Sequence, residues 1–286
     1  MKTIAIINQK GGVGKSTTAL AIGAGLILKG YSVLYTDLDA QGNLSYTLGA
    51  NSQGYNTMGV LQRPETAKAE IQHTAQGDII ASSPALAGAD AVITETGKEY
   101  RLKEALESLS GAYDYCIIDT PPALGILTIN ALTACEGAII PAQADIYSLQ
   151  GIIQLNSTLQ TVKKYCNPAL SIMGIVLTRY NGRSIIRREV AEMLEQTAQS
   201  LNTKLYKAKI RECTALVEAQ AIKQNIFNYA PRSNATTDYK ALVTEILGEE
   251  KKKRWHKKRV LRLTSLTPLC SLSALQQRRG KQTLPQ

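Results

Sequence analysis

The stretch Asn8-Gln9-Lys10-Gly11-Gly12-Val13-Gly14-Lys15-Ser16-Thr17-Thr18 decides the fold of this 286-residue chain. It follows the apolar run Ile4-Ala5-Ile6-Ile7, which predicts a short buried strand, and it precedes an apolar-rich segment, 19–29, that predicts a helix. A glycine-rich turn between a strand and a helix is typical of a phosphate-binding loop, where backbone N–H groups and the helix N-terminus surround a polyphosphate. The stretch therefore predicts an α/β nucleotide-binding fold.

Two side chains at the end of this loop are expected to carry its chemistry. Lys15 would reach the β- and γ-phosphates, and the Ser16 hydroxyl would ligate Mg²⁺. The strict Gly-x4-Gly-Lys-Ser/Thr pattern is not met, because Gln9 stands at the first glycine position and a second lysine, Lys10, precedes Gly11. A glycine-rich turn with two surface lysines is the alternative interpretation. The strand–helix junction and two acidic motifs downstream favour the nucleotide site.

Those acidic motifs end two further predicted strands. The strand 31–36 runs into Asp37-Leu38-Asp39-Ala40-Gln41-Gly42-Asn43, and an apolar strand that starts at Tyr113 ends in Asp119 before Pro121 and Pro122. Acids in such places lie at the carboxyl edge of a parallel sheet, where ligands bind in these folds. Asp119 is a Walker-B-like acid that would hold Mg²⁺ through water. An ordinary acidic turn at each strand end is the alternative.

The loop that opens with Lys10, the Asp37–Asn43 segment and Asp119-Thr120-Pro121-Pro122 resemble the three nucleotide motifs of the ParA/MinD class of P-loop ATPases. The resemblance covers about residues 2–248. It implies that Asp39 orients the attacking water and joins Ser16 and Asp119 at the Mg²⁺ site, with Asp37 in support. It also implies that Lys10 reaches across a dimer to the other subunit's phosphates. Lys10, Lys15 and Asp39 are thus the expected catalytic residues, and 10–17 the expected phosphate-binding residues.

The rest of the first 250 residues predicts a mostly parallel twisted sheet with helices on both faces. Segment 44–96 is irregular apart from a short strand at 78–81. An amphipathic helix is expected at 99–109, a buried strand at 137–143, and a long helix at 148–166 with an apolar stripe. A strand at 171–177 and a last short strand at 205–209 complete the expected sheet.

Residues near the C-terminal end of this region resemble Soj-type ParA proteins in the pair Glu218-Ala219, the loop at Pro231 and the helix at Tyr239-Lys240. This resemblance suggests Thr178 and the Pro231 loop as contacts for adenine. It also places Lys240 where relatives often carry a DNA-contacting arginine. Ala215 stands where many chromosomal relatives carry another arginine, so Arg211 or Arg188 is expected to serve instead.

The net charge of +10 is concentrated at the end of the chain. Residues 251–286 hold eleven Lys/Arg and no Asp/Glu, which leaves 33 − 11 = 22 basic and 23 acidic residues before them, a net of −1. Within that region, 179–240 carries eleven basic and six acidic residues, a net of +5. A basic part on a neutral body indicates a surface for a polyanion, with an ordinary solvated surface as the alternative.

We divide the chain into a ParA-like ATPase domain, 1–250, and a basic C-terminal extension, 251–286. A disordered segment is one interpretation of the extension. A basic arm that adds phosphate contacts and a membrane-surface segment are the others. Pro268 limits any helix there.

Composition excludes several other classes. No apolar run approaches the ~20 residues of a membrane span. Met1-Lys2 leads straight into the first strand, so we expect no signal peptide. The five cysteines form no Cys-x-x-Cys pair, which fits a reducing cytoplasm and gives no support to an iron-cluster relative. A tyrosine-kinase relative would need a tyrosine-rich tail, and no Tyr follows Tyr239.

The leading hypothesis is a Soj/ParA-type partition ATPase that uses ATP and Mg²⁺ and is found in the cytoplasm on the nucleoid. By the resemblance, it would form a homodimer with ATP, bind DNA non-specifically and hydrolyse ATP when a ParB-like partner stimulates it. A MinD-like membrane-surface switch is the main alternative. It needs a C-terminal amphipathic helix, which the tail supplies only in part, so no stable membrane association is expected.

Overall fold

The computed structural model describes the backbone of residues 1–265 and the side chains of residues 1–249. A first compact unit comprises Met1–Glu245, and a second unit begins at Ile246. Everything that follows concerns the first unit unless stated otherwise. Within the described residues, none of the helices combines the length and the apolar character needed to cross a bilayer.

The first unit is built on a seven-stranded sheet, with the strand order β3-β4-β2-β5-β1-β6-β7 in the described residues. Every neighbouring pair is parallel except β3 and β4, which form an antiparallel hairpin at one edge. The strands are β1 Lys2–Ile6, β2 Val33–Asp37, β3 Ile71–Thr74, β4 Gly77–Ile80, β5 Tyr115–Asp119, β6 Gly137–Ala142 and β7 Ser171–Leu177.

Helices connect these strands. They are α1 Lys15–Ile27, α2 Asn43–Leu48, α3 Thr57–Gln62, α4 Ala89–Val92, α5 Arg101–Ser108, α6 Ile126–Ala134, α7 Ile146–Tyr165, α8 Ile185–Ser200, α9 Thr214–Ala221, α10 Ile226–Tyr229 and α11 Asn234–Ser265. Short 3₁₀ turns lie at 64–66, 84–88 and 98–100. The α/β class and the mostly parallel sheet expected from the sequence are confirmed.

Most predicted elements lie within two residues of their observed bounds. The strand 171–177 is confirmed at both ends, and the predicted stripe of the long helix is buried in α7 at Ile152, Leu155, Leu159 and Val162. The edge strand β3 and the helix α6 were not predicted. β3 has the sequence Ile-Gln-His-Thr, with three polar residues out of four, so it lacks the apolar signal of a buried strand.

One expectation, a short last strand at 205–209, does not match the structure. The segment 205–209 forms only an isolated bridge with β7 and is not a strand. In that bridge the N–H of Ile175 donates to the carbonyl of Lys204, and the carbonyl of Ile175 accepts from the N–H of Tyr206. The helix α11 runs through residue 250 to Ser265, and the division into 1–250 and 251–286 stays a prediction. The remainder of the predicted extension, 266–286, lies outside the described residues.

The packing of α1 on the sheet depends on a close approach at Gly23. The Tyr35 side chain of β2 is fully buried beneath α1 and donates its hydroxyl to the carbonyl of Leu20. A methyl group on Gly23 would overlap the Tyr35 ring. This approach holds the helix that follows the phosphate-binding loop against the strand that carries Asp37.

We therefore expect Gly23→Ala to lower the free energy of unfolding by about 1–3 kcal/mol, because a buried tyrosine must move to admit the methyl group. This loss would occur although alanine is the better helix former. Urea unfolding measures it. Gly248→Ala is the matched control, since Gly248 is helical and exposed with no atom near its added methyl. Equal stability changes in the two variants would contradict the packing argument.

Candidate nucleotide and magnesium site

The loop between β1 and α1 has the backbone of an anion-binding turn. Gly12 and Gly14 have φ values of 73° and 83°, in the left-handed region that favours glycine. Gly14 is the N-cap of α1 and supplies no side-chain hydrogen bond, so the first N–H groups of the helix point into the loop without a capping partner. Such a helix start suits a phosphate, because the open N–H groups and the helix dipole both favour negative charge.

Three strands bring the two acidic motifs to this loop. β5 lies between β1 and β2, with Asp119 in register with Ile6 on one side and with Asp37 on the other. Asp119 is fully buried, and among the described residues neither of its carboxylate oxygens has a hydrogen-bond partner. Asp37, equally buried, accepts hydrogen bonds from the amide and hydroxyl of Ser45 and from the Asp39 amide. The unpartnered carboxylate at the strand ends therefore belongs to Asp119.

Burial dominates the electrostatics of the site. Burial raises the pKa of Asp119 well above its usual range, and the neighbouring Asp37 carboxylate raises it further. The nearby Ser16 hydroxyl and Lys15 ammonium lower this pKa, but by less. Burial raises the pKa of Asp37 to about 6, against the hydrogen bonds from Ser45. Burial also lowers the pKa of Lys15, although Asp119 and Asp39 oppose that shift. The site thus holds acids and a lysine that a bound ligand would stabilise in their charged forms.

These features fit a magnesium ion. A buried carboxylate without a partner is costly unless a cation or a donor satisfies it. The described residues contain no group of three or more His, Cys, Asp or Glu that could hold a metal by themselves. Mg²⁺ is commonly held by one or two protein oxygens together with substrate phosphates and water. Asp119 and the Ser16 hydroxyl beside it fit that role, and the expected part of Asp39 in the same site stays a prediction.

Asp39 lies at the boundary between this acidic cluster and open space. Its amide donates to Asp37, its carboxylate accepts from the Gln41 amide, and its carbonyl accepts from the Ser82 hydroxyl. Only 9% of the residue is exposed, yet it lines the larger cavity of the site. The turn therefore fixes a carboxylate beside the space that a terminal phosphate would occupy.

Two adjoining cavities extend from the loop. The larger, of about 620 Å³, is lined by the loop glycines, Lys15, Ser16, Thr17 and Asp39. The smaller, of about 180 Å³, lies next to Gly14 and is walled by Thr178, the segment 210–214 and Tyr239. The first has the polar lining of a phosphate site, and the second has the more enclosed walls of a site for a base.

The two expected adenine contacts differ in position. Thr178 lines the smaller cavity, and its hydroxyl donates to the carbonyl of Val13, which ties the end of β7 to the loop. Pro231 is exposed and does not line either cavity. Its role as a base contact stays a prediction.

Lys10 has a partner that the sequence did not indicate. Its ammonium lies 2.6 Å from Oδ2 of Asp145, while Oδ1 of Asp145 accepts from the Ser148 amide and caps α7. Burial alone would raise the pKa of the Asp145 carboxyl, but Lys10 and Ser148 lower it below its usual value. An Asp between a strand and a helix is a recognisable cap, yet nothing in the sequence predicts its pairing with a lysine 135 positions away.

Two further contacts near the site were not predicted from the sequence. The Asp90 carboxylate accepts a hydrogen bond from the Ile126 amide and so caps α6, just after the Pro121-Pro122 turn. The Gln220 amide of α9 donates to the Thr17 hydroxyl beside the loop. Neither residue belongs to a motif, so only the fold reveals these roles.

The expected DNA-binding residues lie in different environments. Arg188 is exposed on α8 and has no ion-pair partner among the described residues; Lys240 is exposed on α11. Arg211 is held by Asp238 through two side-chain hydrogen bonds of 2.9 and 2.6 Å, and it lines the smaller cavity. These bonds raise the pKa of the Arg211 guanidinium above its ordinary value. Arg211 therefore supports the wall of the cavity, which makes it a poorer DNA candidate than Arg188.

Comparisons with known proteins agree with this geometry. Residues 1–172 match the family model described as an AAA domain. The chain is 39% identical to the sporulation initiation inhibitor protein Soj of Bacillus subtilis over 86% of this chain and 98% of that protein. It is 33% identical to the chromosome partitioning protein ParA of Caulobacter vibrioides over 88% of this chain and 96% of that one. A structure titled cobyrinic acid a,c-diamide synthase from Mycobacterium smegmatis, with a bound ATP analogue and magnesium, is similar with a TM-score of 0.76 and 31% identity, over 88% of this chain and 96% of that chain.

We expect a nucleotide to protect Cys213 from alkylation, because this half-buried thiol lines the smaller cavity. Iodoacetamide labelling with and without Mg·ADP, followed by peptide mass spectrometry, measures this site by site. Cys166, also half-buried but away from both cavities, is the control and should label equally in both conditions. Cys116 and Cys135 should resist labelling in the folded protein, since burial raises the pKa of each thiol to about 12. Equal labelling of Cys213 with and without ADP would contradict the placement of the base.

Proposed function

The chain belongs to the Soj/ParA family of P-loop ATPases, and we propose that it is a partition ATPase whose ATP-bound homodimer binds DNA non-specifically. It hydrolyses ATP and uses magnesium. In our proposal, hydrolysis is stimulated by a ParB-like partner and releases the DNA. The observation that carries this proposal is the loop after β1, which lies beside the carboxylates of Asp39 and Asp119, in a chain whose relatives include chromosome-partitioning proteins.

The site residues divide the work of binding and hydrolysis. The N–H groups of 11–16 and the Lys15 ammonium hold the phosphates, and Ser16 and Asp119 hold the magnesium ion, which neutralises phosphate charge when bound. Asp39 orients the attacking water, because its turn fixes the carboxylate at the edge of the phosphate cavity. Positioning and electrostatics of this kind supply most of the catalysis in phosphoryl transfer.

Lys10 links nucleotide state to dimerisation in this proposal. Within one subunit its ammonium is paired with Asp145 and lies outside the lining of the phosphate cavity. On dimer formation Lys10 leaves Asp145 and contacts the phosphates of the partner subunit. ADP lacks the γ-phosphate, so it offers less negative charge to offset the loss of the ion pair between Lys10 and Asp145. The dimer therefore requires ATP.

A basic surface beside β7 supports the DNA-binding part of the proposal. Tyr180, which follows β7, bonds to Ile210, and the Lys209 ammonium lies 4.7 Å from the centroid of its ring. Arg187 reaches back to the carbonyl of Arg179, so the start of α8 and the 204–211 segment meet at this point. Arg183 and Arg188 are exposed nearby on the chain. Such a cluster suits phosphate contacts without base readout.

Several further assignments are part of the same proposal. We assign the ATPase to residues 1–250 and place the protein in the cytoplasm, on the nucleoid. The basic segment from Lys251 onward would add phosphate contacts to the same DNA. The membrane-surface alternative has less support, because relatives that cover 88% and 86% of this chain are chromosome-partitioning proteins.

Substitutions in the loop and in Asp39 should separate binding from hydrolysis. We expect Lys10→Ala and Lys15→Ala to abolish ATP-dependent dimerisation and DNA binding. Asp39→Ala should slow hydrolysis at least about 100-fold while the protein stays a DNA-bound dimer. Light scattering, a phosphate-release assay and DNA co-sedimentation measure the three properties. Normal hydrolysis by Asp39→Ala would show that another group orients the water.

The basic surface is tested by reversing one charge. We expect Arg188→Glu to weaken DNA binding and to reduce the slope of log K against log [salt] by about 1, as the loss of one phosphate contact requires. Lys68→Glu makes the same charge change at the opposite edge of the sheet, near β3, and should leave the slope unaltered. Fluorescence anisotropy with duplexes of unrelated sequence measures both. Equal changes of the salt slope in the two variants would show that DNA binding depends on the overall charge of the protein and not on this surface.

A further inference from the structure

Arg179 occupies the point where the two cavities of the nucleotide site meet. It follows Thr178 at the end of β7, and it lines both the 620 Å³ cavity at the phosphate-binding loop and the 180 Å³ cavity beside it. The loop is adjacent, because the Thr178 hydroxyl donates to the carbonyl of Val13 at 2.8 Å. A nucleotide with its phosphates on the loop and its base in the smaller cavity must pass this residue.

The backbone at Arg179 is strained and firmly held. Its φ of 47° lies in the left-handed region, which is unfavourable for a residue other than glycine, asparagine or aspartate. Both neighbours are fixed, since the Thr178 amide donates to Ala142 and the Tyr180 amide donates to Ile210. The carbonyl of Arg179 itself accepts a 2.9 Å hydrogen bond from Nη1 of Arg187. Strain that the surroundings enforce in this way is often found at ligand sites.

The Arg179 side chain also differs from the other cations that line the cavities. Lys15 faces Asp119 and Asp39, and Arg211 is clamped by Asp238. Arg179 is exposed, and among the described residues no carboxylate pairs with it. It is thus a cation without a counter-charge at the edge of a site that takes a polyanion.

We infer that the Arg179 guanidinium contacts the nucleotide where the ribose joins the phosphates, on the α-phosphate side. The inference rests on the placement of the triphosphate at 11–16 proposed above. The contact involves a part of the nucleotide that ADP and ATP share, so it stabilises both complexes equally and leaves the discrimination between them to Lys10 and Asp39. A guanidinium suits this position because it donates several hydrogen bonds in a plane to phosphate oxygens.

Calorimetric titration of the full chain with Mg·ADP and with Mg·AMPPNP tests this role. We expect Arg179→Met to weaken both ligands by about tenfold, which corresponds to about 1.4 kcal/mol. Arg179→Lys should recover part of the loss, since it keeps the charge. Arg179→Gly should lose as much as the methionine variant, although glycine removes the strain of the positive φ and so preserves the fold.

Three results would overturn the inference: unchanged affinity in Arg179→Met, a loss for AMPPNP alone, or wild-type affinity in Arg179→Gly. The first result would show that the exposed guanidinium does not contact the nucleotide and would point to another phosphate ligand, such as DNA. The second would place it at the γ-phosphate. Lys15→Ala separates the inference from its premise, because normal ADP binding by that variant would show that the phosphates are not at the loop.

Discussion

The buried carboxylate of Asp119 is the constraint on which the site depends. It ends the central strand β5, between β1 and β2, at a point where burial is complete and neither oxygen has a hydrogen-bond partner among the described residues. An ionised carboxylate in such a place is unstable without a cation. The loop that follows β1 supplies the complement, with the Lys15 ammonium, the Ser16 hydroxyl and open N–H groups at the start of α1.

The surrounding structure holds this arrangement in register. Parallel pairing places Ile6, Asp37 and Asp119 side by side, so the loop and both acidic turns leave the sheet at one edge. Thr178 ties the end of β7 to the loop, and Asp90 caps the helix after the Pro121-Pro122 turn. Lys10 is held apart on Asp145. Within the subunit, Lys10 is therefore paired away from the cavity at the phosphate-binding loop, and the proposed dimer is what would release it from Asp145.

The sequence predicted the parts of this site that are local. Lys15, Ser16, Asp39 and Asp119 were found because each lies where a buried apolar run changes abruptly to glycine, acid or proline, and the fold brings them together as expected. Contacts between distant residues were not predictable: Lys10 with Asp145 and Arg211 with Asp238 depend on the tertiary fold. The strand β3 was missed because its polar residues carry no apolar pattern. The helix α11 continues past residue 250 because its lysine-rich sequence has good helix propensity and meets no proline before 268.

The most direct test of the account is the binding of arbitrary duplex DNA by the full chain without nucleotide, with Mg·ADP and with Mg·ATP, each at two salt concentrations. We expect DNA binding with Mg·ATP to be much tighter than in the other two states, to be indifferent to sequence and to fall steeply with salt. Binding of equal strength in all three states would contradict it, because the charge of the chain alone would then explain the attraction, and the nucleotide site would not control the DNA surface.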